Sequence, residues 1–154
     1  MKSKYLATSS LIAALYATLT VALAPISYGP VQFRFSEALT LLPFYIPEAI
    51  PGLFVGCLIA NMFGGYGMLD IVIGSVATLA AAFLSRKAPR LWLAALPPIL
   101  VNMSLVGPML GYLADVPVWV ATLQVGAGQA GVCCFVGYPL MKVLEARGVL
   151  RKVI

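Results

Sequence analysis

There is no histidine in this chain. That removes the commonest general base, proton shuttle and metal ligand. Charge is scarce as well. Only 10% of the residues are charged, against roughly 25% in a soluble domain, so the surface is not built to face water. Cysteine is equally sparse: Cys57 stands alone, and Cys133 and Cys134 are adjacent within an apolar run. That spacing fits no zinc or redox motif, and the three read as small packing residues. No phosphate-binding P-loop is present, so ATP hydrolysis is not expected of this chain. No catalytic group, cofactor or metal site is expected.

What is abundant is apolar surface, at 62% of 154 residues. The expectation is a single integral membrane domain over 1–154, an all-α bundle. About 20 apolar residues carry a helix across a bilayer. The stretches 5–24, 68–84, 91–113 and 116–141 each qualify. The first is longer than the usual 7–15-residue signal-peptide core and reads as a retained helix. The stretch 35–63, cut by Pro43, Pro47 and Pro51, is too long for one plain helix and too short for two full ones.

Charge decides the count. The net charge is +5. Basic residues cluster at Lys2 and Lys4, at Arg86, Lys87 and Arg90, and at Lys142, Arg147, Arg151 and Lys152; Arg34 is the exception. Clusters flanking apolar spans read as cytoplasmic anchors, not as a nucleic-acid patch. If the first two clusters share a side, 35–63 crosses an even number of times. Two short, proline-broken helices over 35–47 and 48–63 satisfy this, and a re-entrant loop is the alternative. Two crossings there give six helices in a cell-membrane protein with both termini cytoplasmic. Small residues mark close packing. Segment one carries Ser10, Ala14, Thr18 and Ala22 at four-residue spacing, with Ser9, Ala13 and Ala17 alongside. Segment six carries Thr122, Gly126 and Ala130.

Polar groups inside hydrocarbon are costly, so each is a candidate site residue. On this topology Gln32, Arg34, Ser36 and Glu37 lie at the outer face, as do Asn61, Tyr66 and Asp70. Asn102 is at mid-depth, with Tyr112 and Asp115 at the outer end of its segment. Gln124 and Gln129 fall in the outer half and the middle of the last segment, and Glu48 sits at the inner turn. A proton relay would string such groups through the full thickness. This distribution describes a pocket open to the outside, suited to a small, flat, hydrogen-bonding ligand. Simpler roles compete: Arg34 and Glu37 could form an interfacial ion pair, Asp70 and Asp115 could end helices, and the amides could bridge helices.

The phrase Gln32–Phe44, QFRFSEALTLLPF, followed by the proline-rich turn and by Asn61–Gly67, NMFGGYG, with Asp70, resembles the QueT family. These are S components, the substrate-binding subunits of energy-coupling-factor (ECF) transporters. The resemblance covers essentially the whole chain. It implies uptake of a queuosine precursor, a 7-deazaguanine derivative or related base. It implies an ECF module of two ATPase subunits and a transmembrane coupling subunit as partner. It also implies docking through an alanine motif on the first helix, matched here by Ala13 and Ala17. A deazaguanine edge offers a ring N–H and an exocyclic amine that one carboxylate accepts together, and an aminomethyl substituent would want a second acid. Glu37 and Asp70 are the first choices for these acids, with Glu37 foremost and Arg34 fixing its rotamer. Asn102, Gln124 and Gln129 are the amide candidates; Tyr66, Tyr112 and Trp119 could stack on the ring. Rival readings are an S component for another vitamin-like molecule, a membrane enzyme, or an assembly subunit without a ligand.

Overall fold

A computed structural model describes residues 2–150; Arg151 and Lys152 of the carboxyl-terminal basic cluster lie outside the described residues. Among the described residues the chain is helical, with no strand. In chain order it forms α1 (Lys2–Ala22), a short α2 (Ala24–Ser27), a 3₁₀ segment (Phe35–Phe44), α3 (Ala49–Met62), α4 (Met68–Arg86), a short α5 (Leu91–Ala94), α6 (Leu96–Leu113), α7 (Val118–Ala130), a π segment (Gly131–Gly137) and α8 (Tyr138–Ala146). By length and composition, four helical stretches can cross a membrane: Lys2–Ala22, Met68–Arg86, Leu91–Leu113 and Val118–Ala146. Large apolar side chains such as Leu11, Leu15, Val72, Val76 and Leu123 cover their outer surface, as expected where the solvent is lipid.

Two shorter apolar helices complete the bundle: the 3₁₀ segment and α3. The first is not an α-helix. Ten residues at about 2.0 Å per residue span roughly 20 Å, and the fourteen residues of α3 span about the same at 1.5 Å per residue. Each is shorter than the roughly 30 Å hydrocarbon core. Pro43 lies inside the 3₁₀ segment. Pro51 falls in the first turn of α3, where a missing N–H leaves no hydrogen bond unmade.

Glycines bring the backbones together. A Cβ on Gly56 of α3 would lie 2.9 Å from the Ala13 carbonyl oxygen and 2.8 Å from the Tyr16 Cβ, and one on Gly52 would lie 2.7 Å from the Ser9 carbonyl oxygen. The Ser9–Ala13–Tyr16 face of α1 is therefore pressed onto α3. Ala13, expected on a stripe facing a partner protein, is buried inside the bundle, and Ala17 is half-buried. The members of the stripe left on the outside are Ser10, Ala14, Thr18 and Ala22. In the same way α6 closes on α7: a Cβ on Gly107 would lie 2.6 Å from the Thr122 Cα.

The two ends of the bundle differ. At one end Lys2 and Lys4 share a groove with Ile46 and Glu48, and Ser9 donates to the Glu48 carbonyl at 2.8 Å. Arg86 reaches the carbonyls of Pro43, Phe44 and Tyr45 at 3.2–3.4 Å, a cation at the carbonyl end of a helix. Arg90, Lys142 and Glu145 border a cleft with the same Phe44 and Tyr45. Described members of all three basic clusters, Lys2 and Lys4, Arg86 and Arg90, and Lys142, thus come together at one end. The loops carrying Gln32 and Tyr66 lie at the other ends of the same helices.

Gly56→Val should overpack the contact between α1 and α3. The expected loss is about 1–3 kcal/mol, read as a lower melting temperature in detergent. Ala14→Val, on the exposed flank of the same helix, should change stability by less than about 0.5 kcal/mol. Equal melting temperatures for both variants would contradict the packing of Gly56 on Ala13.

Candidate functional site

Three charged side chains are buried among the described residues: Arg34, Glu37 and Asp70, each 5% exposed or less. All three border one closed cavity within the bundle. Gln32, Asn102 and Gln129 line it as well, and Gly74, Thr78, Val106 and Val125 complete its wall. The residues come from the loop before the 3₁₀ segment, from that segment, and from α4, α6 and α7.

Local structure aims each group. Gln32 holds a left-handed backbone, φ 48°, uncommon for a side-chain-bearing residue and a feature that clusters at functional sites. This turn brings the chain back so that Gln32 and Arg34 both point inward. Arg34 Nη1 donates to Asn61 Oδ1 at 2.8 Å and Nε donates to the Ser27 carbonyl at 3.3 Å. Its guanidinium lies 5.3 Å from the centre of the Tyr28 ring, within cation–π range. Nη2 faces Asp70 Oδ2 at 3.8 Å without hydrogen-bonding to it. Asn61 links the two, since its Nδ2 donates to the Asp70 backbone carbonyl at 3.0 Å. Gly74 leaves the space this requires; a Cβ there would lie 2.5 Å from Asn61 Nδ2.

Glu37 is held differently. Its Oε1 accepts from the Tyr16 hydroxyl, and the Gln129 side chain lies beside it. Arg34 does not pair with Glu37; its ion pair is with Asp70. The sequence spacing of three suggested otherwise, but it applies to an α-helix, and Arg34 is extended and precedes the 3₁₀ segment. Around Glu37 the 3₁₀ segment is pinned to its neighbours. Ser36 and Thr20 hydroxyls meet at 2.6 Å, and Cys133 of the π segment contacts the Glu37 carbonyl. A π turn inside an α-helical span often marks a functional site. Here it places Gly137 against the Ala38 backbone, where a Cβ would lie 3.2 Å from its carbonyl oxygen.

Several hydrogen-bonding atoms in this cluster are unused. Glu37 Oε2, both side-chain oxygens of Asp70, Arg34 Nη2 and Gln32 Nε2 are buried without a hydrogen-bond partner. Buried polar groups are normally satisfied, and each exception calls for a reason. The enclosed volume is about 10 Å³, near the minimum for one water and far below the roughly 300–1,000 Å³ of a ligand pocket. A small molecule can enter only if the walls move apart. The covering segments are the loop 28–34 and the glycine-rich loop 63–67, joined where the Tyr66 hydroxyl donates to the Tyr28 carbonyl at 3.0 Å.

Other expected residues fall elsewhere. Asn61 stands behind Arg34 rather than on the cavity wall, and Tyr66 sits in the covering loop. Gln124 is half-buried on α7 and does not border the cavity. Tyr112 and Trp119 are 79% and 69% exposed, placed on the exterior as in an interfacial aromatic belt, and cannot stack on anything in this cavity as it stands. Tyr16, Thr78 and Tyr28 belong to the cluster without having been singled out. Tyr16 lies on the face of α1 shared by Ser9, Ala13 and Thr20, and that shared face was the signal available.

Membrane-length helices around a small polar, two-carboxylate cavity define a multi-pass membrane protein. The family model described as "QueT transporter" matches residues 6–146, and the chain belongs to that family. A curated relative, the "Queuosine precursor transporter QueT" of Lactococcus lactis subsp. cremoris (strain MG1363), is 40% identical over 80 residues. The match covers 51% of this chain and 47% of that protein, so the chain spans about half the length of that relative. No solved structure matches the chain.

Tyr16→Phe should leave Glu37 Oε1 without its donor. A hydrogen bond to a charged group contributes about 1.5–3 kcal/mol, so equilibrium unfolding in mixed micelles should register a loss of that size. Unchanged stability would mean that Glu37 is held by other groups.

Proposed function

We propose that this protein is the substrate-binding subunit of an ATP-dependent ECF-type uptake transporter and captures a queuosine precursor, a 7-deazaguanine derivative, from outside the cell. One observation carries the reading: a buried cluster of two carboxylates, an arginine and three amides, with unused hydrogen-bonding atoms on Glu37, Asp70, Arg34 and Gln32, far from the basic end of the bundle. A flat base rich in N–H donors supplies what those carboxylates lack. Its ring carbonyl can accept from Gln32 Nε2. Asn102 Nδ2 is already committed to the Pro98 carbonyl at 2.9 Å, which leaves the Asn102 carbonyl oxygen for a ring N–H. Gln129 and Asn61 would orient the carboxylates.

The gathering of the basic clusters at one end supports a cytoplasmic position for that end. With the 3₁₀ segment and α3 each counted as a short crossing, the protein crosses six times with both termini inside. The cavity then lies toward the outer face, under the loops 28–34 and 63–67. Ligand entry begins with separation of those loops.

The partner in this reading is an ECF module of two ATPases and a transmembrane coupling subunit. The small-residue flank available to it is Ser10–Ala14–Thr18, since Ala13 is taken up by α3. Ala14→Trp and Thr18→Trp should hold a partner helix off and abolish uptake in cells bearing the module, while binding by the purified subunit survives. Ala13→Trp should instead damage the fold. Uptake that persists in both flank variants would exclude this face.

Calorimetric titration with 7-deazaguanine bases tests the ligand assignment directly. Saturable binding that is lost in Asp70→Asn, with no nucleotide hydrolysis by the pure subunit, is the expected result. Binding of a different vitamin-like molecule, with no response to any deazaguanine, would replace the ligand while keeping the site.

A further inference from the structure

A cleft of about 320 Å³ opens at the basic end of the bundle, between the end of the 3₁₀ segment, the start of α5 and α8. Tyr45, Arg90, Trp92, Tyr138, Lys142 and Glu145 border it, and none of them borders the interior cavity. Arg90 is exposed and has no hydrogen bond or ion pair with any described residue. Lys142 pairs with Glu145 Oε2 at 3.2 Å, which uses one of its three donors. Two cations against one carboxylate leave the cleft with one positive charge in excess. Tyr45 is fully buried at its edge. Its ring packs edge-on against Phe44, with centroids 4.9 Å apart, and its carbonyl accepts from Arg86 at 3.2 Å, so its position is fixed. The Tyr45 hydroxyl nevertheless has no hydrogen-bond partner. Glu145 and Tyr138 act on it electrostatically, and both border the cleft, which puts the hydroxyl on the cleft side of the ring. A buried donor of this kind calls for an acceptor.

We propose that this cleft is a binding site for an anionic phospholipid, with the lipid phosphate held by Arg90, Lys142 and the Tyr45 hydroxyl. The inference is independent of the molecule that the interior cavity takes. A phosphodiester carries one negative charge, which matches the excess in the cleft. Arg90 can grip two of its oxygens in a fork, and Lys142 can add a donor without leaving Glu145. Glu145 is a surface side chain, 43% exposed, and can swing aside to let a phosphate oxygen reach Tyr45. Position favours a lipid over a soluble phosphate. Arg90 immediately precedes the span Leu91–Leu113, and Lys142 lies near the end of the span Val118–Ala146, so both stand at headgroup level. Trp92 is exposed one residue inside, where indole rings anchor at the interface. Leu96 and Leu100 follow it at four-residue spacing and are exposed as well. This apolar row leads from the cleft along the span and gives an acyl chain a track. Basic pockets between membrane helices are known to hold anionic headgroups in this way. A lipid whose headgroup also carries an ammonium fits less well, because the one carboxylate in the cleft is already paired.

The test titrates the detergent-purified protein with phosphatidylglycerol and, separately, with phosphatidylcholine, and counts bound lipids by native mass spectrometry. The first phosphatidylglycerol should bind at least about fivefold more tightly than the first phosphatidylcholine, the factor expected from one basic side chain. Arg90→Gln should remove that preference, and Arg90→Lys should keep part of it. Lys4→Gln, which removes a cation from the same end of the bundle but outside the cleft, should leave the preference intact. Tyr45→Phe should weaken phosphatidylglycerol binding with no loss of melting temperature, since its hydroxyl bonds to nothing in the free protein. Equal affinity of the unmodified protein for the two lipids would overturn the proposal. Equal losses in Arg90→Gln and Lys4→Gln would overturn it too, by reducing the effect to the general charge of this end. Displacement of the bound lipid by millimolar inorganic phosphate would assign the cleft to a soluble phosphate instead. Should Tyr45→Phe fail to fold, the variants at Arg90, a surface position, decide alone.

Discussion

Holding Arg34, Glu37 and Asp70 inside an apolar bundle is the constraint around which the rest of this structure is arranged. Each charge removed from water is penalised by several kcal/mol even after the protein relaxes around it. Only partial compensation is built in. Asn61, the Ser27 carbonyl and the Tyr28 ring serve Arg34, Tyr16 serves Glu37, and Asp70 faces Arg34 at a distance too long for a full hydrogen bond. A protein under selection for stability alone would place apolar side chains here. In the proposed function, that incomplete satisfaction is what gives a polar ligand something to bind.

The scaffold is shaped to bring backbones close behind those groups. Gly52 and Gly56 let α3 press on α1, and Gly107 does the same for α6 on α7. Such contacts replace the hydrophobic drive that is absent between helices in lipid with close van der Waals approach. The 3₁₀ and π segments are adjacent, and their irregular backbones supply what straight helices cannot: Cys133 and Gly137 come against Glu37 and Ala38 in the middle of the bundle. At the loop end, strain at Gln32 and the positive φ values of Gly65 and Gly67 turn the chain across the cavity. Among the described residues the basic end buries no charged side chain. Its cations sit on carbonyl ends and at the surface.

Much of this was readable because a polar side chain in an apolar segment is conspicuous. Gln32, Arg34, Glu37, Asp70, Asn102 and Gln129 stand out for that reason alone, and in the structure they meet around one cavity. Direction around a helix was harder to read. α6 and α7 are apolar on every side, so periodicity could not tell that Gln129 faces inward while Gln124, Tyr112 and Trp119 do not. The same ambiguity affected α1, where two small-residue rows run side by side. Only the position of α3 reveals that Ala13 belongs to the interior and Ala14 to the exterior. The Arg34–Asp70 pair spans 36 residues of chain and has no local signature, and Tyr16 resembles any aromatic packing residue until Glu37 is placed beside it.

The central claim is that this cluster, and not another concave surface, receives the transported molecule. The larger open groove bounded by Lys2, Lys4, Ile46 and Glu48 is the obvious competitor. A crystal or electron-microscopy structure of the protein saturated with 7-aminomethyl-7-deazaguanine discriminates directly. The account predicts ligand density between Glu37 and Asp70, with the 28–34 and 63–67 loops displaced or closed over it and the cavity enlarged. Density confined to the Lys2–Glu48 groove, with the Arg34–Asp70–Glu37 cluster still closed on itself, would contradict it.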